Sequence, residues 1–488
     1  MWRCGYPGSP FALARNFRLP NSLKIKENMR HYDAIIIGAG QGGDPLARAF
    51  AQAGKRTALI ERKYVGGTCV NYGCTPTKTL YNSARVAYLA RRAHEFGVTT
   101  GDVEVHLAKA QERVQKVVED FRNGTEKRLK EIKNLDLIYG AAKFIDNKTI
   151  QVNDDQLTAD KIIINVGTRA FIPDVPGLQD VPYMDNKCIL ELKELPKHLI
   201  VLGGGYIGLE FAQMFRRLGS QVTVIERAQR LIEREDEDVC ETATQFLKED
   251  GIRIITGADI RQISAPQPLP RLGETPLSNI AIELTTGEKI EGSHLLVAIG
   301  RTPNTDDLAL DKAGVETDER GYIKANEKLE TSTNDIYVIG DVKGGPAFTH
   351  ISYDDFRILK CNLLENGNKT TKDRLVPYVM FLDPQLGRVG LDETHAEKQN
   401  IKVRVAKIEA SNIARPIEMS ETRGFIKALV GDQDQIVGVT TFCVEGGELL
   451  ASLQIAMMAK LPYTALRDGI FAHPTLAESM NNLFMNLK

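Results

Sequence analysis

Two cysteines, Cys69 and Cys74, lie five positions apart in the run GGTCVNYGCTPTK at residues 66–78. A regular helix rises ~7.5 Å over five residues, whereas a disulfide needs Cα atoms within roughly 4.4–6.8 Å of each other. A pair that forms a disulfide therefore needs a bend, which Gly73 permits. If a helix follows the bend, its free N–H groups stabilise a thiolate at Cys74. The spacing indicates dithiol chemistry, although a bare CxxxxC is more often two core thiols.

A glycine-rich motif occurs twice, as GAGQGG at 38–43 and as GGGYIG at 203–208. Each copy lies between a predicted buried strand (31–37 and 198–202) and a predicted helix (45–54 and up to 218). A glutamate, Glu61 or Glu226, follows the first glycine of each copy by 23 residues. In a dinucleotide site the glycines admit the pyrophosphate, the helix N-terminus faces its charge and the carboxylate binds ribose hydroxyls. Because the motifs and the acids share one offset of 165 residues, we predict two bound dinucleotides.

The acid after the second motif also bears on the choice of nicotinamide. Glu226 favours a ribose that carries no 2′-phosphate, and hence NADH. Arg227 and Arg230 are close enough in sequence to attract a 2′-phosphate, so NADPH remains an alternative.

Length and composition set the broad class of the protein. A chain of 488 residues divides into two to four domains. Its net charge of −2 gives no long-range attraction to nucleic acid or anionic lipid, and no apolar run approaches the ~20 residues of a membrane span. The seven cysteines are odd in number and scattered, unlike a secreted disulfide framework. We therefore expect a cytoplasmic protein with no nucleic-acid or membrane partner, and we predict no metal site.

Taken together, the cysteine pair and the two motifs resemble the class I pyridine nucleotide-disulfide oxidoreductases, which include glutathione reductase, dihydrolipoamide dehydrogenase and mercuric reductase. Further matching stretches are GAA at 140–142, NVGT at 165–168, GRTPN at 300–304, IYVIGD at 336–341 and HPTLAE at 473–478. The runs at 348–357 and 461–468 resemble the mercuric-reductase-like branch that includes a bacterial reactive-chlorine-resistance flavoprotein. The resemblance implies FAD as the first dinucleotide and NAD(P)H as the second.

The resemblance also implies an α/β fold with two Rossmann-like dinucleotide-binding domains and a C-terminal α+β dimerisation domain. The expected division is an N-terminal extension (1–30), an FAD-binding domain (31–174, returning at 299–370), an NAD(P)-binding domain (175–298) and an interface domain (376–488). The extension is either a targeting segment, a mis-assigned start before Met29 or a disordered tail. The proline-rich segment 265–278 is predicted to be a surface hairpin loop.

The family pattern assigns a role to each member of the expected electron path. Hydride would pass from the nicotinamide to the flavin and on to a Cys69–Cys74 disulfide. Cys74 would lie against the isoalloxazine, and Cys69 would be the exposed thiol that meets the acceptor. Lys78 would approach the flavin while paired with Glu210.

Acid–base chemistry is assigned to His473 and Glu478 by the same resemblance. In the family this histidine serves the cysteines of the partner subunit, so a homodimer with a shared active site is implied. The His473–Pro474 peptide bond is predicted to be cis. The predicted catalytic residues are thus Cys69, Cys74, His473, Glu478, Lys78 and Glu210.

Cofactor contacts follow from the same motifs. Tyr206 would cover the nicotinamide pocket, and Asp341 would bind the ribityl chain of FAD. The complete predicted cofactor-binding set is Gly38, Gly40, Gly43, Glu61, Thr68, Lys78, Ala142, Gly167, Thr168, Asp341, Ala347, Gly203, Gly205, Tyr206, Gly208, Glu226 and Gly300.

Several electron acceptors are compatible with the sequence. A disulfide or a metal ion is expected, with dihydrolipoamide dehydrogenase as the alternative enzyme and a flavin-bearing redox sensor without turnover as the alternative from another class. Mercuric reductases and large thioredoxin reductases carry a C-terminal cysteine pair, whereas this sequence ends NNLFMNLK and has no N-terminal CxxC. Arg48 and Arg357 fall where glutathione reductase has glutathione-binding arginines, which is weak support for that substrate.

Overall fold

The computed structural model describes residues 29–265 and 280–488. Nearly all of the predicted N-terminal extension and of the predicted proline-rich hairpin loop lies outside these described residues. The described helices include none that is both long enough and apolar enough to cross a membrane.

The regular elements, in chain order, are as follows. The first part contains β1 (Arg30–Ile37), α1 (Gly43–Gln52), β2 (Thr57–Glu61), α2 (Gly67–Tyr72), α3 (Cys74–Arg91), α4 (Leu107–Lys130), β3 (Leu135–Tyr139), β4 (Ala142–Phe144), β5 (Thr149–Val152), β6 (Asp155–Ile164), β7 (Thr168–Ala170) and β8 (Tyr183–Met184). The second contains β9 (His198–Leu202), α5 (Tyr206–Leu218), β10 (Gln221–Ile225), α6 (Glu237–Glu249), β11 (Arg253–Ile255), β12 (Ile260–Ser264), β13 (Ile280–Leu284), β14 (Lys289–Gly292), β15 (His294–Val297), β16 (Arg301–Pro303) and β17 (Ile336–Val338). The third contains α7 (Thr349–Leu364), β18 (Tyr378–Met380), β19 (Gln385–Gly390), α8 (Glu393–Lys398), β20 (Arg404–Glu409), α9 (Ala414–Glu418), β21 (Phe425–Val430), β22 (Ile436–Cys443), α10 (Gly446–Met458), α11 (Tyr463–Arg467) and α12 (Ser479–Met485).

The first sheet has the order β3-β2-β1-β6-β5-β4, with β17 paired to β6. Strands β3, β2, β1, β6 and β17 run parallel, and β5 and β4 extend the sheet antiparallel. Strand β1 carries an unbroken apolar run because both of its faces are covered, and Ile35 and Ile36 are fully buried.

The second sheet repeats this arrangement with β11-β10-β9-β15-β8, all parallel. In the first sheet Ile37 faces Ile60, and in the second Leu202 faces Ile225, so the strand register also repeats at the 165-residue offset. A parallel sheet with a glycine-rich turn from its first strand into a helix is the Rossmann arrangement. The predicted fold class is confirmed in this part of the chain.

The C-terminal part is built differently. Its five strands form the antiparallel sheet β18-β19-β22-β21-β20, and α10 packs on β19 and β22 while α12 packs on β20 and β21. This sheet, with its helices, is the expected α+β domain. The predicted domain boundaries at 174, 298 and 370 stay predictions.

Helix α3 connects the two nucleotide-binding halves, because it packs against α4 on one side and α5 on the other. It begins at Cys74, and α5 begins directly after the second glycine motif at Tyr206. The packing of α3 on α5 therefore brings the cysteine pair next to the second dinucleotide loop.

Candidate active site

The first glycine loop shows why glycine is needed at two of its positions. Gly38 has φ +104, and an added Cβ there would lie 2.3 Å from Asn165 O. A Cβ at Gly43 would lie 2.1 Å from Gly38 O, so glycine allows α1 to pack closely on β1. The Glu61 carboxylate accepts hydrogen bonds from the N–H groups of Ala39 (3.0 Å) and Lys63 (2.8 Å).

The second glycine loop has the same geometry. Gly203 has φ +110, and a Cβ at Gly208 would lie 2.1 Å from Gly203 O. Glu226 accepts from the N–H groups of Gly204 (2.5 Å) and Ala228 (2.8 Å). The two loops agree in the positions of their glycines, in backbone geometry and in carboxylate contacts. They are therefore two copies of one nucleotide-binding loop, here called a cradle.

One cavity of about 3040 Å³ extends along both loops and past the cysteine pair. The predicted site residues that line it are Gly38, Gly40, Glu61, Thr68, Cys69, Cys74, Lys78, Ala142, Gly167, Thr168, Gly203, Gly205, Tyr206, Glu210, Glu226, Gly300, Asp341 and Ala347. Gly43 and Gly208 do not line it, because they face the strands on which their helices pack. His473 and Glu478 do not line it either.

The walls of the cavity fit two dinucleotides. A Cβ on Gly205 would meet nothing within 4 Å, so a pyrophosphate can approach this backbone closely. Helices α1 and α5 begin at the two loops, so the positive ends of their dipoles lie next to that charge. At the far edge of each loop, Glu61 and Glu226 offer carboxylate oxygens to ribose hydroxyls.

The cysteine pair lies at a break between two helices. Cys69 is on α2, which ends at Tyr72, and Cys74 is the first residue of α3. Gly73 between them has φ −132 and ψ −116, which is outside helical geometry. The bend predicted from the spacing is therefore present at Gly73. Both cysteines are free thiols, so the structure represents the reduced pair.

The two thiols differ in acidity. A hydrogen bond from Cys69, followed by the Thr349 hydroxyl and the Lys78 ammonium, lowers the pKa of Cys74 to about 6. The same hydrogen bond, followed by burial, raises the pKa of Cys69 well above its ordinary value. The Thr349 Oγ1 atom is 3.4 Å from the Cys74 sulfur. At neutral pH the reduced pair thus carries its negative charge on Cys74 and its proton on Cys69.

Cys69 is half-buried and Cys74 is exposed, and both line the nucleotide cavity. The expectation that Cys69 is the thiol that meets the acceptor stays a prediction, because a bound dinucleotide would cover the exposed surface of Cys74. The surface of Cys74 therefore faces the place where a dinucleotide binds.

Lys78 and Glu210 form an ion pair across the α3–α5 contact. The Lys78 ammonium donates to Glu210 Oε2 at 2.7 Å, and the Phe381 N–H donates to Oε1 at 2.8 Å. Lys78 is one helical turn beyond Cys74, so both lie on the same face of α3. The Lys78 Nζ atom also lies 4.7 Å from the centre of the Phe381 ring. This pair places a fixed positive charge beside the Cys74 thiolate.

Asp341 belongs to a short helical turn that follows β17, rather than to the strand itself. It accepts a hydrogen bond from the Thr168 hydroxyl at 3.2 Å. Thr168 accepts in turn from Arg301 Nε at 2.6 Å, next to Gly300. The segments 165–168, 300–304 and 336–341, which matched the family in sequence, therefore meet at one part of the cavity wall.

His473 and Glu478 are in contact on the surface of the chain. His473 Nδ1 lies 2.9 Å from Glu478 Oε2, and the histidine side chain is 69% exposed. The His473–Pro474 bond is cis, as predicted. A carboxylate at Nδ1 leaves Nε2 of the ring free to exchange protons with another molecule.

The two arginines that fall where glutathione reductase binds glutathione lie away from the cavity. Arg48 donates to Asp44 at 2.7 Å, and Arg357 lies 4.9 Å above the ring of Tyr353. Neither arginine lines the cavity.

Sequence reasoning missed several residues of the site. They are Thr349 beside Cys74, Phe381 beside the ion pair, and Glu235 with Tyr378, both of which contact Tyr206. No local motif marks them, because each contact joins residues that are far apart in the chain. The run at 348–357, which resembled one branch of the family, was the only sequence signal near Thr349.

His350 also lines the cavity. Its Nε2 lies 2.6 Å from the carbonyl of Pro377, and its ring stacks on Phe348 at 5.4 Å. Burial lowers the pKa of His350, so the ring is neutral at physiological pH.

Fold and site together define a redox protein with two dinucleotide cradles and a dithiol in one cavity. The family model for pyridine nucleotide-disulphide oxidoreductases matches residues 32–355, and the model for the dimerisation domain of the same family matches residues 376–484.

Individual relatives agree with the family models. A probable pyridine nucleotide-disulfide oxidoreductase of Escherichia coli strain K12, RclA, is 37% identical over 469 residues, which cover 94% of this chain and 100% of the relative. A mercuric reductase of Lysinibacillus sphaericus is 34% identical over 464 residues, covering 95% of this chain and 83% of that enzyme. A dihydrolipoyl dehydrogenase of Chlamydia muridarum is 33% identical over 456 residues, covering 92% and 95%.

Among solved structures, the HOCl-induced flavoprotein disulfide reductase RclA from Escherichia coli matches with a TM-score of 0.85 at 37% identity, covering 94% of this chain and 100% of that one. A structure of its Cu(II) complex matches equally well.

The chain belongs to the pyridine nucleotide-disulphide oxidoreductase family. It is an FAD-containing enzyme that carries electrons from NAD(P)H through the flavin to a disulfide, as the resemblance implied. The dimerisation domain supports a homodimer.

Proposed function

We propose that Cys69 and Cys74 are the dithiol through which electrons leave the flavin, and that they reduce a disulfide or a metal ion. The observation that carries this proposal is the polarity of the pair: both cysteines line the dinucleotide cavity, the exposed Cys74 is the more acidic thiol, and the half-buried Cys69 holds the proton. Bound FAD would accept a hydride from the nicotinamide and pass two electrons to the disulfide.

The chain supplies the charge balance for this transfer. In each reduction the two electrons of the hydride would break the S–S bond and leave a thiolate at Cys74, and the proton of the hydride would end on Cys69 as its thiol proton. The Lys78 ammonium, held in place by Glu210, stabilises the thiolate and any negative charge beside it. The Thr349 hydroxyl donates a hydrogen bond to the same sulfur.

Cys69 needs a base before it can attack an acceptor, because its pKa is raised. We assign this role to His473 of the partner subunit, whose Nδ1 is held by Glu478. The exposed position of His473, away from the cavity of its own chain, supports an active site shared between subunits.

Purified heterodimers test this shared site: one subunit carries His473→Asn and the other Cys69→Ser. We expect turnover from the single complete site, while both mutant homodimers are inactive; inactive heterodimers would contradict the shared site.

The acceptor is proposed from the relatives. The relatives are named for the reduction of mercury or of a disulfide, and a Cu(II) complex of RclA has been solved. A metal ion or a small disulfide is therefore the proposed acceptor. Dihydrolipoamide oxidation is the second candidate, supported by the dihydrolipoyl dehydrogenases among the relatives.

NADH is the proposed donor. The Glu226 carboxylate is held by two backbone N–H groups at the ribose end of the second cradle, where it would repel a 2′-phosphate. Arg230, one of the two arginines that could attract that phosphate, is paired with Glu237 at 2.7 Å. We also propose that the protein is cytoplasmic.

A turnover screen tests the whole assignment. NADH and NADPH are each combined with lipoamide, glutathione disulfide, Cu(II) and Hg(II), using the wild type and the Cys69→Ser and Cys74→Ser variants. Cys361→Ser serves as the matched control, because Cys361 is also a free thiol but lies outside the cavity. We expect activity to survive only in the wild type and the control. Unchanged activity in both active-site variants would contradict the dithiol route.

A further inference from the structure

Glu235 is a buried carboxylate that receives three hydrogen bonds, and its side chain is 1% exposed. The hydroxyl of Tyr206 donates to Oε1, and the hydroxyl of Tyr378 donates to the same atom at 2.6 Å. Arg388 donates to Oε2 at 3.1 Å. Three donors compensate the burial of this charge, which would otherwise be costly.

The loop that presents Glu235 is itself under constraint. Ile232 adopts φ +42, a left-handed conformation that is rare for a β-branched residue. The Ile232 N–H donates to Gly204 O at 3.0 Å, and the Glu235 N–H donates back to Ile232 O at 2.9 Å. Backbone strain of this kind persists where the surrounding structure enforces it, often at functional sites. The strained turn ties Glu235 directly to the second glycine loop.

Tyr206 is the part of this network that reaches the cavity. It is the first residue of α5, its ring lines the cavity, and the ring of Tyr378 lies 5.5 Å away. Burial, followed by the charge of Glu235, raises the pKa of Tyr206, so its hydroxyl remains a donor at physiological pH. The cysteine pair, Tyr206 and Glu226 all line this one cavity.

A purely structural role for the network is the competing explanation. The segment that carries Glu235 is also joined to the C-terminal sheet by Lys427 of that sheet, which donates to Asp236 at 2.9 Å and to Asp238 at 2.8 Å. Arg388 also has a second partner, Asp392, at 2.9 Å. The C-terminal sheet is therefore held by contacts that do not involve Glu235.

We propose that Glu235 is a positioning residue, which holds the Tyr206 ring against the cavity wall and thereby keeps the nicotinamide half of the cavity open. This inference rests on the proposed binding of NADH at the second glycine loop. Without the carboxylate, the ring would rotate into the cavity and compete with the nicotinamide.

The test measures flavin reduction by NADH in single-turnover stopped flow. In Glu235→Gln a neutral amide replaces the charged acceptor, so we expect the NADH concentration for half-maximal rate to rise about tenfold with an unchanged limiting rate. Tyr206→Phe removes the same hydrogen bond and leaves the Glu235–Arg388 pair intact, so it should give a similar rise. A rise in Glu235→Gln with none in Tyr206→Phe would overturn the inference.

A third variant separates positioning from general damage. In a Tyr206→Ala background no ring remains to be held, so adding Glu235→Gln should leave the half-maximal NADH concentration unchanged. An undiminished effect of Glu235→Gln in that background would refute the role of Tyr206. The matched control is Tyr32→Phe, which removes another tyrosine–carboxylate bond, to Asp136 at 2.7 Å, away from the cavity.

The same measurement keeps the two proposals apart. If NADH does not reduce the flavin of the wild type, the proposed function fails. If the wild-type flavin is reduced and Glu235→Gln behaves as the wild type does, only the inference about Glu235 fails.

Discussion

The hydrogen bond between Thr349 and Cys74 can be removed with almost no change in shape. Thr349→Val replaces a hydroxyl with a methyl group, and the valine cannot donate to the sulfur 3.4 Å away. A hydrogen bond to a charged group contributes about 1.5–3 kcal/mol. Because Cys74 is exposed on the cavity wall, we use the lower limit of this range, about 1.5 kcal/mol. One pKa unit corresponds to about 1.36 kcal/mol, so the pKa of Cys74 should rise by about one unit, from about 6 to about 7.

The sign follows from the charge that is stabilised. The hydroxyl stabilises the thiolate, so the wild-type pKa lies below the ordinary thiol value, and the thiolate is lost as the pH falls through about 6. In Thr349→Val the same loss should occur about one unit higher, so the thiolate fraction at pH 7 should fall from about 0.9 to about 0.5.

The assay is alkylation of the reduced protein by iodoacetamide, followed at the Cys74 peptide by mass spectrometry across the pH range. Each profile is normalised to its own alkaline plateau, because intrinsic nucleophilicity rises with thiol pKa. Thr349→Ser is the matched control: it keeps the hydroxyl, and its midpoint should stay with the wild type. Equal midpoints for Thr349→Val and the wild type would refute a contribution of Thr349 to the thiolate.

Further predictions concern the two cradles and the contact between domains. Gly43→Ala would force a Cβ to 2.1 Å from Gly38 O and should yield protein without FAD. Gly208→Ala makes the same clash at Gly203 O and should retain FAD but lose reduction by NADH. Absorbance spectra measure bound FAD and stopped flow measures its reduction; loss of FAD in both variants would contradict distinct roles for the two loops. The Lys427 side chain is 2% exposed, and its ammonium pairs with the carboxylates of Asp236, Asp238 and Glu393. Because Lys427→Met removes this shared ammonium, it should lower the unfolding free energy by about 3 kcal/mol in chemical denaturation. Lys407→Met is its control, since that lysine is 34% exposed and should cost less than about 1 kcal/mol; equal losses would contradict the reasoning.

The repeated cradle could be predicted from the sequence because its determinants are local. A strand, a glycine turn, a helix and an acid follow one another within about 25 residues, and Gly43 and Gly208 are required by contacts with their own turns. The break at Gly73 was predictable for the same reason, since the spacing of two cysteines constrains only the chain between them. The ion pair of Lys78 with Glu210 spans 132 positions and could be anticipated only through the family resemblance.

The remaining parts of the site depend on how distant surfaces meet. Thr349 reaches Cys74 across 275 positions, and Tyr378 reaches Glu235 across 143. A threonine or a glutamate in a run of polar residues carries no periodic signal that would reveal such a contact. Which of the two thiols meets the acceptor depends in the same way on distant parts of the chain, because both cysteines border the cavity and several separate segments form its wall.

The polarity of the cysteine pair links the active site to the dimer. The Thr349 hydroxyl, the Lys78 ammonium and the N-terminus of α3 all stabilise negative charge on Cys74. Thr349 and Lys78 favour the thiolate of Cys69 as well, but the hydrogen bond with Cys74, followed by burial, outweighs them and keeps the pKa of Cys69 well above its ordinary value. The reduced pair can therefore hold electrons beside the flavin site, but it cannot attack an acceptor until another group removes that proton. Among the predicted catalytic residues only the exposed His473, held by Glu478, is suited to that task, and it lies outside the cavity of its own chain. We infer that the asymmetry which protects the thiolate also makes turnover depend on a second subunit, so a variant that remains monomeric should reduce its flavin with NADH yet fail to pass electrons to an acceptor.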